Sequence, residues 1–582
     1  MADQAMQSLE KAQSAKDAGD FASARSWLEK AVELDPDQFL ARVNLSEACR
    51  ILGDDEGAIL HLSHALKLKP GFCDGHNGLG LLLQKRGDHK GAVLSLNRAI
   101  ECNPDFALAY YNLGNCMRDV EELDQAIACF ITATKLNPSF VEALSNLGEA
   151  LQITGRIKDA QRCFKSVLAI DPACFVAFSN YLLTLNYDPD FRPRQLYEEH
   201  RKFGAAFAQA TPVFANDCTP ARRLRIGYVS ADFCNHPVSR FLEPVLANHY
   251  TTDFDVFCYS GAKHPDAKTD TLKRLSGHFA DVAGMPDDIM AERIRSDAID
   301  ILVDLSGHTA ENRLPVFARK PAPVQVTYLG YPNTSGMKAM DYRLTDRVAD
   351  PLCEVSVHTE RLVRIAPCFC CYKPPHDTPA PGPLPAARNK FVTFGSTHTI
   401  ARLNDGLLDL WASLLAAVPG SRILIMRTTL KGGSLDRVEG RFGLRGIDRS
   451  RIVIRNSVPA EGHMAVYRDI DIFLDSFPWS GHTTACEALW MGVPVVTLLG
   501  NRHAGRMVAS VLSCLNLKEY IAQTKDDYLS IARDLAGNLD ILENLRTTLR
   551  GRMAASPLCD GKSFTAGLEQ AYRMMWREYC GK

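Results

Sequence analysis

The sequence predicts a chain of class α plus α/β, with an all-α solenoid of helical repeats followed by two Rossmann-like α/β domains. Three observations lead to this prediction. A 34-residue repeat fills the first third, short apolar runs alternate with helix-length segments from about residue 222 onward, and a proline-rich stretch divides this alternating part in two. A chain of 582 residues is long enough to bury several separate cores.

A proline recurs every 34 residues in the first third, which is the period of tetratricopeptide (TPR) repeats. These prolines are Pro36, Pro70, Pro104, Pro138 and Pro172. In the same phase, an alanine recurs in every unit and a glycine recurs at the turn, except at Glu121. Alanine lets two helices approach, glycine takes the turn, and proline ends the second helix. We therefore predict five helical hairpins and a capping helix over residues 1–187, then a connecting helical segment over residues 188–221.

A further column of the repeat carries asparagine on the first helix of most units. Its members are Asn44, Asn112, Asn146 and Asn180, with Gly78 in the remaining position. Such a ladder on the concave wall would hydrogen-bond the backbone of an extended peptide, so these asparagines are candidate peptide-binding residues. The alternative is that their amides only join neighbouring repeats. The sequence leaves both interpretations open.

Two α/β domains follow the repeats. The runs LRIGYV, FDVFCYS, IDILVDLS and VQVTYLG predict parallel strands of a first domain over residues 222–371. A linker with six prolines spans residues 372–390, and the runs FVTFGS, SRILIMR, RIVIRN, IDIFLDS and VPVVTLLG predict a second domain over residues 391–582. Doubly wound sheets bind ligands beyond the carboxyl ends of their strands, so we expect the chemistry in a cleft between the two domains.

Charge and composition narrow the class of function. Lys plus Arg total 66 against 68 Asp plus Glu, so no overall basic field would attract nucleic acid or an anionic membrane. The first residues lack the pattern of a signal peptide and no apolar run is long enough to span a membrane, which predicts a cytoplasmic protein. The 18 cysteines lack the spacing of a metal site, so we expect structural thiols and no bound metal.

The segment IDIFLDSFPWSGHTTACEALWMGVPVVTL predicts an anion site. Gly481, His482, Thr483 and Thr484 lie where a helix begins after a strand, and a helix start offers free backbone N–H groups and a positive dipole end. This is typical of a diphosphate site. Glu487 lies one turn further on the same helix face and would accept hydrogen bonds from a pair of ribose hydroxyls. The alternative is an ordinary capped helix with an exposed glutamate.

Three more side chains follow strands in the same way. His236 precedes Pro237, which is well placed as a first helical residue, so we expect the imidazole near a helix cap at the mouth of the cleft. Arg402 follows FGSTHTIA just ahead of a predicted cap at Asn404, where a guanidinium would neutralise a diphosphate leaving group. His463 is a weaker candidate for contact with a base or a phosphate.

These segments together resemble a known family. The repeats combined with GYVSADFCNHPVSRF, DILVDLSGHTAENRL, VQVTYLGYPNTSG, FGSTHTIARLND and LDSFPWSGHTTACEALWMGVPVVTLLGNRHAGRMVAS resemble the TPR-containing protein O-linked N-acetylglucosamine (O-GlcNAc) transferases in a compact bacterial form. The resemblance implies a GT-B arrangement of the two Rossmann-like domains. It also implies inverting transfer of N-acetylglucosamine from UDP-GlcNAc to serine or threonine hydroxyls of proteins, without a metal or other cofactor. The implied partners are a UDP-sugar and acceptor proteins held in the TPR groove.

The resemblance assigns roles to several residues. His236 matches the family's active-site histidine, and the segment from His482 to Glu487 matches the family's diphosphate and ribose contacts. His463 matches the histidine on the uracil side of the nucleotide. Gly330 and Pro332, in LGYPNTSG, fall in the loop that approaches the sugar and the acceptor.

Two departures from the family pattern leave alternatives open. Arg402 stands where the family usually has a lysine that supports departure of UDP, and arginine keeps the charge but not the geometry. Trp479 replaces a small residue beside the sugar pocket. One alternative is therefore a TPR scaffold whose second part binds a nucleotide sugar with weak or no transfer. Another is a transferase that uses a different UDP-hexose or an asparagine acceptor.

Overall fold

A computed structural model describes residues 2–352 and 357–581 of the chain. These residues divide into two compact units. The first unit runs to Leu151 and includes Arg162–Ile170, and the second consists of Gln152–Gln161 and the chain from Asp171 onward. Within the described ranges, no helix combines the length and the apolar character that crossing a membrane requires.

The N-terminal third is a series of helices of nearly equal length. They are α1 (Ala2–Asp17), α2 (Phe21–Leu34), α3 (Phe39–Ile51), α4 (Asp55–Leu68), α5 (Cys73–Lys85), α6 (His89–Cys102), α7 (Ala107–Asp119), α8 (Leu123–Leu136), α9 (Val141–Ile153) and α10 (Ile157–Ile170). From α1 to α8, each odd-numbered helix packs on the next helix to form a hairpin, and the hairpins stack in chain order. The predicted TPR fold is confirmed.

The repeat columns have the roles that their chemistry predicts. The alanines from Ala24 to Ala160 are fully buried between helices. The turn glycines have left-handed backbones, with φ of 74° at Gly19 and 85° at Gly87. Glu121 takes the same conformation, with φ of 60°, although a side chain disfavours it. Because the turn geometry is common to all units, the stacking of repeats imposes it even where glycine is missing.

From Asp171 onward, the second unit contains two helices, α11 (Phe175–Tyr187) and α12 (Pro193–Ala206), and then a parallel sheet. The strands are β1 (Leu224–Ser230), β2 (Phe254–Ser260), β3 (His278–Asp281), β4 (Ile301–Asp304), β5 (Val324–Thr327), β6 (Tyr342–Thr345) and β7 (Arg361–Arg364). The helices of this part are α13 (Pro237–Leu246), α14 (Ala267–Leu275), α15 (Asp287–Ser296) and α16 (Leu314–Ala318). The spatial order is β3-β2-β1-β4-β5-β6-β7, so the order reverses between β1 and β4.

A second parallel sheet follows the linker helix α17 (Pro385–Asn389). Its strands are β8 (Thr393–Ser396), β9 (Arg422–Met426), β10 (Ile452–Arg455), β11 (Ile472–Leu474), β12 (Val495–Leu498) and β13 (Ile521–Ala522), in the order β10-β9-β8-β11-β12-β13. The helices are α18 (Asp405–Ala417), α19 (Gly432–Leu444), α20 (His482–Trp490), α21 (His503–Cys514), α22 (Lys525–Ala536), α23 (Leu539–Ala554) and α24 (Gly561–Cys580). Two doubly wound sheets are therefore present, as predicted.

Some elements were not predicted. The runs that were quoted from the sequence all form strands, but β3, β6, β7 and β13 were missed. The last helix, α24, packs on the first sheet, where the hydroxyl of Tyr572 lies 3.2 Å from that of Tyr228 in β1. Glu569 of the same helix accepts a hydrogen bond from the ring of His249 at 2.9 Å. The chain therefore returns from the second sheet to the first at its end, and this joins the two halves.

Candidate active site

A cavity of about 340 Å³ lies between the two sheets. It opens beyond the carboxyl ends of β1, β5, β8, β9 and β11, at the places where the strand orders reverse. The first half contributes His236, Arg240, Gly330 and Pro332, and the second half contributes Arg402, Arg427, His463, Trp479, Gly481, His482, Thr483, Thr484 and Glu487. The structure thus brings together every catalytic and donor-binding residue that the sequence predicts.

The start of helix α20 forms one wall of the cavity. The backbone N–H of Gly481 is not available to a ligand, because it donates to Oδ1 of Asp475 at 2.9 Å. The next three residues differ. Among the residues that the structure describes, the backbone N–H groups of His482, Thr483 and Thr484 donate to no acceptor, as expected for the first turn of a helix. The predicted anion site therefore remains, with one amide fewer.

The side chains of this turn are used in different ways. The Thr484 hydroxyl donates to the carbonyl oxygen of Gly481 at 2.9 Å, so its proton is taken by the protein. The Thr483 hydroxyl has no partner in the described part of the chain and faces the cavity. The His482 ring packs against Phe241, with ring centroids 4.9 Å apart. Burial lowers the pKa of His482 to about 3, so its imidazole is neutral near pH 7.

Arg402 reaches the cavity from a short 3-10 helix, Ile400–Arg402, and Asn404 caps α18 as predicted. The Nη1 atom of Arg402 donates to the Ser480 carbonyl oxygen at 3.1 Å. Its guanidinium lies over the Trp479 ring, 4.7 Å from the centroid. Trp479 in turn stacks on Tyr187 at 4.7 Å. Trp479 therefore orients the Arg402 guanidinium. The sequence analysis had placed Trp479 only beside the sugar pocket.

Two cavity-lining arginines were missed by the sequence analysis. Arg427 directly follows strand β9, and its guanidinium makes no ion pair or hydrogen bond with any described residue. Arg240 lies one turn after His236 on α13, so both side chains share a helix face. The end-of-strand rule that selected Arg402 would also have selected Arg427. The four-residue spacing from His236 would have selected Arg240.

Glu487 is buried at the floor of the cavity. Its Oε2 accepts hydrogen bonds from His463 Nε2 at 3.0 Å and from the Tyr467 hydroxyl at 2.9 Å, and its Oε1 accepts from Nη1 of Arg240. Burial acts to raise the pKa of Glu487, but the hydrogen bonds and charges of His463 and Arg240 outweigh it, so the pKa lies below its usual value. Glu487 is therefore an ionised carboxylate with little free capacity.

His236 is the N-cap of α13, with Pro237 as the first helical residue, which agrees with the predicted position. Its Nδ1 lies 3.4 Å from the Val238 backbone nitrogen and 3.5 Å from Oδ2 of Asp232. Burial lowers the pKa of His236, although the charge of Asp232 opposes this. The cavity mouth therefore carries a neutral imidazole with a carboxyl group behind it. Asp232 is a further residue that the sequence analysis missed.

Gly330 allows the loop after β5 to approach the end of β4. A Cβ atom at this position would lie 1.9 Å from the carbonyl oxygen of Leu305, so no other residue fits without movement of the backbone. Pro332 follows in the same loop and also lines the cavity. The glycine therefore determines how closely this loop packs against the end of β4.

Several buried polar atoms of the cavity wall have no hydrogen-bond partner within the described ranges. They are Arg402 Nε, Thr399 Oγ1 and Trp479 Nε1. Buried polar groups in native proteins are nearly always paired, so a cluster of unpaired ones beside a cavity points to a polar ligand. The ligand that matches free amides, hydroxyls and guanidinium groups is an anion with several oxygen atoms.

The asparagine column is used inside the helical repeats. Nδ2 of Asn112, which is buried, donates to Oδ1 of Asn77 at 2.8 Å. Nδ2 of Asn146 donates to Oδ1 of Asn115 at 2.7 Å. Oδ1 of Asn44 accepts from Lys16 Nζ at 3.0 Å. Asn180 lies in α11, and its side-chain role in peptide binding, like that of the others, stays a prediction.

The described residues contain no cluster of three or more histidine, cysteine, aspartate or glutamate side chains that would hold a metal ion. This observation does not test the expected metal-independent reaction, which stays a prediction.

Comparisons with known proteins agree with the geometry. The family model of glycosyl transferase family 41 matches residues 206–372 and 386–568 of this chain. Tetratricopeptide repeat descriptions match residues 9–71, 107–140 and 141–174. The solved structure of a mutant O-GlcNAc transferase from Thermobaculum terrenum has a TM-score of 0.80 and 37% identity, and the match covers 88% of this chain and 98% of that one.

Two curated relatives are similar over about two thirds of this chain. A rice (Oryza sativa subsp. japonica) protein described as probable UDP-N-acetylglucosamine--peptide N-acetylglucosaminyltransferase SPINDLY is 41% identical over 413 residues, which is 69% of this chain and 44% of the rice protein. The UDP-N-acetylglucosamine--peptide N-acetylglucosaminyltransferase of Caenorhabditis elegans is 27% identical over 474 residues, with 62% and 41% covered. The chain thus spans less than half the length of these relatives.

Proposed function

Because the chain belongs to glycosyl transferase family 41, we propose that it transfers N-acetylglucosamine from UDP-GlcNAc to serine or threonine hydroxyls of proteins. The observation that carries this proposal is the free first turn of α20 facing Arg402 and Arg427 across one cavity. Free amides at a helix start together with guanidinium groups are a strong site for a diphosphate. The names of the rice, nematode and bacterial relatives support N-acetylglucosamine as the sugar and a peptide as the acceptor.

The proposed mechanism depends on charge stabilisation of the leaving group. The amides of His482 to Thr484 and the guanidinium of Arg402 bind the diphosphate, which takes the electron pair when its bond to the sugar C1 breaks. The acceptor oxygen forms the new bond to C1 from the opposite face, so the configuration inverts. Donors that are already oriented toward the developing charge lower the barrier without reorganisation. Backbone amides and a guanidinium of the chain itself supply this stabilisation, so the proposed reaction uses no metal.

The acceptor hydroxyl must lose its proton as it attacks. Neutral His236 at the cavity mouth is able to accept a proton, and so is the departing phosphate. Asp232 behind the imidazole would stabilise the protonated ring.

The acceptor protein is proposed to lie along the TPR groove, where the side chains of the asparagine column would hydrogen-bond its backbone. A cytoplasmic location is proposed because the described cysteines are free thiols, which a reducing compartment preserves.

The test is transfer by the purified chain. The protein is incubated with radiolabelled UDP-GlcNAc and a cell lysate, in parallel with other UDP-hexoses and with GDP-sugars. We expect label on protein from UDP-GlcNAc, and β-elimination by alkali should release it because O-linked sugars on serine and threonine are alkali-labile. Label that survives alkali would indicate an asparagine acceptor.

The other outcomes separate the alternatives. Binding of UDP-GlcNAc without transfer to any lysate protein would support a scaffold. Transfer only from a different donor would show that the pocket beside Trp479 selects another sugar, and the proposed donor would then be wrong.

A further inference from the structure

Arg240 and Glu487 connect the two halves across the cavity. Arg240 lies on α13 beside the first sheet, and Glu487 lies on α20 beside the second, 247 residues later in the chain. Nη1 of Arg240 donates to Oε1 of Glu487. The Arg240 side chain is 21% exposed, whereas that of Glu487 is 4% exposed. The cation therefore faces the cavity, and the carboxylate is buried behind it.

This ion pair uses one of the acceptor positions that a ribose would need. A pair of vicinal hydroxyls needs two free acceptor positions, and each oxygen of a carboxylate offers about two. Oε2 of Glu487 already accepts from His463 at 3.0 Å and from Tyr467 at 2.9 Å. Oε1 accepts from Arg240. An incoming nucleoside therefore meets a glutamate whose remaining oxygen is paired with a cation from the opposite half.

The cavity also has more positive than negative charge among the residues that line it. Among the described residues that line the cavity, Arg240, Arg402 and Arg427 are cationic and Glu487 is the one carboxylate. A pyrophosphate bound at the first turn of α20 would lie one helical turn from Glu487, and hence from the guanidinium that Glu487 holds. A guanidinium has several N–H donors, of which Glu487 takes one. Arg240 is thus positioned between two anionic partners.

We propose that Arg240 is a phosphate-binding residue that the first half supplies, and that it exchanges Glu487 for the donor's pyrophosphate when the donor binds. The exchange frees the second acceptor position on Oε1 of Glu487, so that both ribose hydroxyls can bind there. This inference rests on the proposed function and extends it, because it adds a ligand for the diphosphate and links ribose binding to phosphate binding. A nucleoside without phosphates would have to break the ion pair without offering a replacement.

The physical reason for the exchange is the cost of an unpaired buried charge. If Arg240 left Glu487 for water alone, the buried carboxylate would lose a charged partner and gain none. When the phosphate and the ribose arrive together, both groups receive new partners in one step. The structure therefore favours nucleoside diphosphates over nucleosides by more than the phosphate contacts of the second half alone would give.

The experiment measures the binding of UDP and uridine to the full chain by calorimetry. The variants are Arg240→Met, which keeps an apolar stem, and Lys268→Ala as the control. Lys268 pairs with Glu243 on the same helix α13 at 2.7 Å but does not line the cavity. We expect Arg240→Met to weaken UDP binding by about tenfold or more, which is the size of a charged hydrogen bond. Uridine binding should stay equal or become tighter, and Lys268→Ala should change neither.

A second pair of variants, built on Glu487→Gln, separates two roles of Arg240: contact with the phosphate and positioning of Glu487. In Glu487→Gln, the carboxylate charge that holds Arg240 is removed, and adding Arg240→Met leaves no unpaired buried charge that would prevent folding. We expect the added substitution to weaken UDP binding by about tenfold again.

Two results would overturn the exchange. One is an equal loss of UDP and uridine affinity in Arg240→Met, which would mean that Arg240 only positions Glu487. The other is unchanged UDP affinity when Arg240→Met is added to Glu487→Gln. A wild-type chain that bound no UDP would instead refute the proposed function itself, and the exchange with it.

Discussion

The carboxylate of Asp475 accepts the backbone N–H of Gly481 at 2.9 Å, and this bond holds the loop before α20 against the sheet. The other carboxylate oxygen of Asp475 accepts from the Thr497 hydroxyl at 2.6 Å, which ties the same loop to strand β12. Within the part of the chain that the structure describes, the three backbone amides that follow Gly481 have no such partner. Asp475 therefore positions the free helix turn without occupying it.

Asp475→Asn should weaken both folding and UDP binding. Asparagine has one acceptor oxygen in place of two, so either the Gly481 amide or the Thr497 hydroxyl loses its partner. We expect a loss of about 1–3 kcal/mol in the free energy of unfolding, which is the cost of an unsatisfied buried group. Chemical denaturation and UDP calorimetry measure the two effects.

The matched control is Asp471→Asn, because Asp471 is equally buried and also accepts two backbone amides, those of Ala386 and Thr393, at 2.9 and 2.8 Å. It does not line the cavity. We expect Asp471→Asn to destabilise the fold and leave UDP affinity unchanged. Equal losses of UDP affinity in both variants would contradict a specific role for Asp475.

Gly330→Ala should be strongly destabilising. The new Cβ would lie 1.9 Å from the Leu305 carbonyl oxygen, and a backbone atom has no alternative rotamer to adopt. We expect a loss of at least about 3 kcal/mol in the free energy of unfolding. The control is Gly440→Ala in helix α19, where a Cβ meets nothing within 4 Å and alanine should add about 0.5–1 kcal/mol. Similar melting temperatures for the two variants would refute the close approach.

Local patterns predict most of the fold and of the site, whereas several of the missed parts depend on long-range contacts. Strand β6 was not predicted because Arg343 interrupts its apolar run. In the structure this arginine is buried, and its guanidinium donates to the carbonyl oxygens of Asn333 and Tyr331 at 2.5 and 2.9 Å. A sequence pattern does not show such partners, so a buried charge is read as a surface residue.

The same reasoning explains what was missed at the site. The helix start at His482 follows from a strand, a short loop and an apolar periodicity, all within one segment. Contacts between distant segments determine which amide Asp475 binds. They also determine which cation reaches Glu487 from the other half. The pairing of Arg240 with Glu487 therefore required the structure.

Arg402→Ala should slow transfer with little effect on folding. Arg402 donates to the Ser480 carbonyl and lies over Trp479, with its Nε atom unpaired within the described residues. If it stabilises the departing diphosphate, its removal should lower kcat by about a hundredfold. Arg402→Lys should recover only part of this, because lysine cannot stack on the indole in the same way.

The control for Arg402 is Arg441→Ala, since Arg441 pairs with Asp409 at 2.5 Å on the outside of the second half. Rates of UDP-GlcNAc hydrolysis and of protein transfer are the measurements. A turnover in Arg402→Ala within about threefold of wild type, or about 0.65 kcal/mol in barrier, would exclude a leaving-group role.

Acid should destabilise the chain through its buried neutral histidines. Burial lowers the pKa of His200 to about 4 and that of His482 to about 3. Below the unfolded value of about 6.5, the unfolded state takes up protons that the folded state does not, so stability falls as pH falls. Each such histidine contributes up to about 1.4 kcal/mol per pH unit in this window.

One buried carboxyl group acts in the opposite direction. Burial raises the pKa of Asp471 to about 6, so between its unfolded value and about pH 6 the folded state holds the extra proton and stability rises as pH falls. Over this pH range, the protonation of Asp471 therefore cancels the loss of stability caused by about one such histidine. We expect His200→Gln to reduce the pH slope of unfolding between pH 6 and 4.5, whereas His376→Gln, at a fully exposed position, should not. An unchanged slope in His200→Gln would show that this imidazole is not buried.

Two asparagines of the column differ in how much the fold depends on them, so their variants distinguish an effect on stability from an effect on acceptor binding. Asn112 is buried and donates to Asn77, so Asn112→Ala leaves a buried oxygen without a donor and should cost about 1–3 kcal/mol. Asn44 accepts from Lys16, which also pairs with Glu47 at 2.7 Å, so Asn44→Ala leaves the lysine with a partner and should barely change stability.

Asn44→Ala is therefore the clean test of the peptide-binding role. If the column binds the acceptor backbone, this variant should slow transfer to long protein acceptors by a few fold while UDP-GlcNAc hydrolysis and transfer to short peptides keep the wild-type rate. The physical reason is that one amide contributes one neutral hydrogen bond, about 0.5–1.5 kcal/mol, only to acceptors that reach it. If Asn44→Ala changes the rates on long and short acceptors by the same factor relative to wild type, the column has only a packing role between repeats.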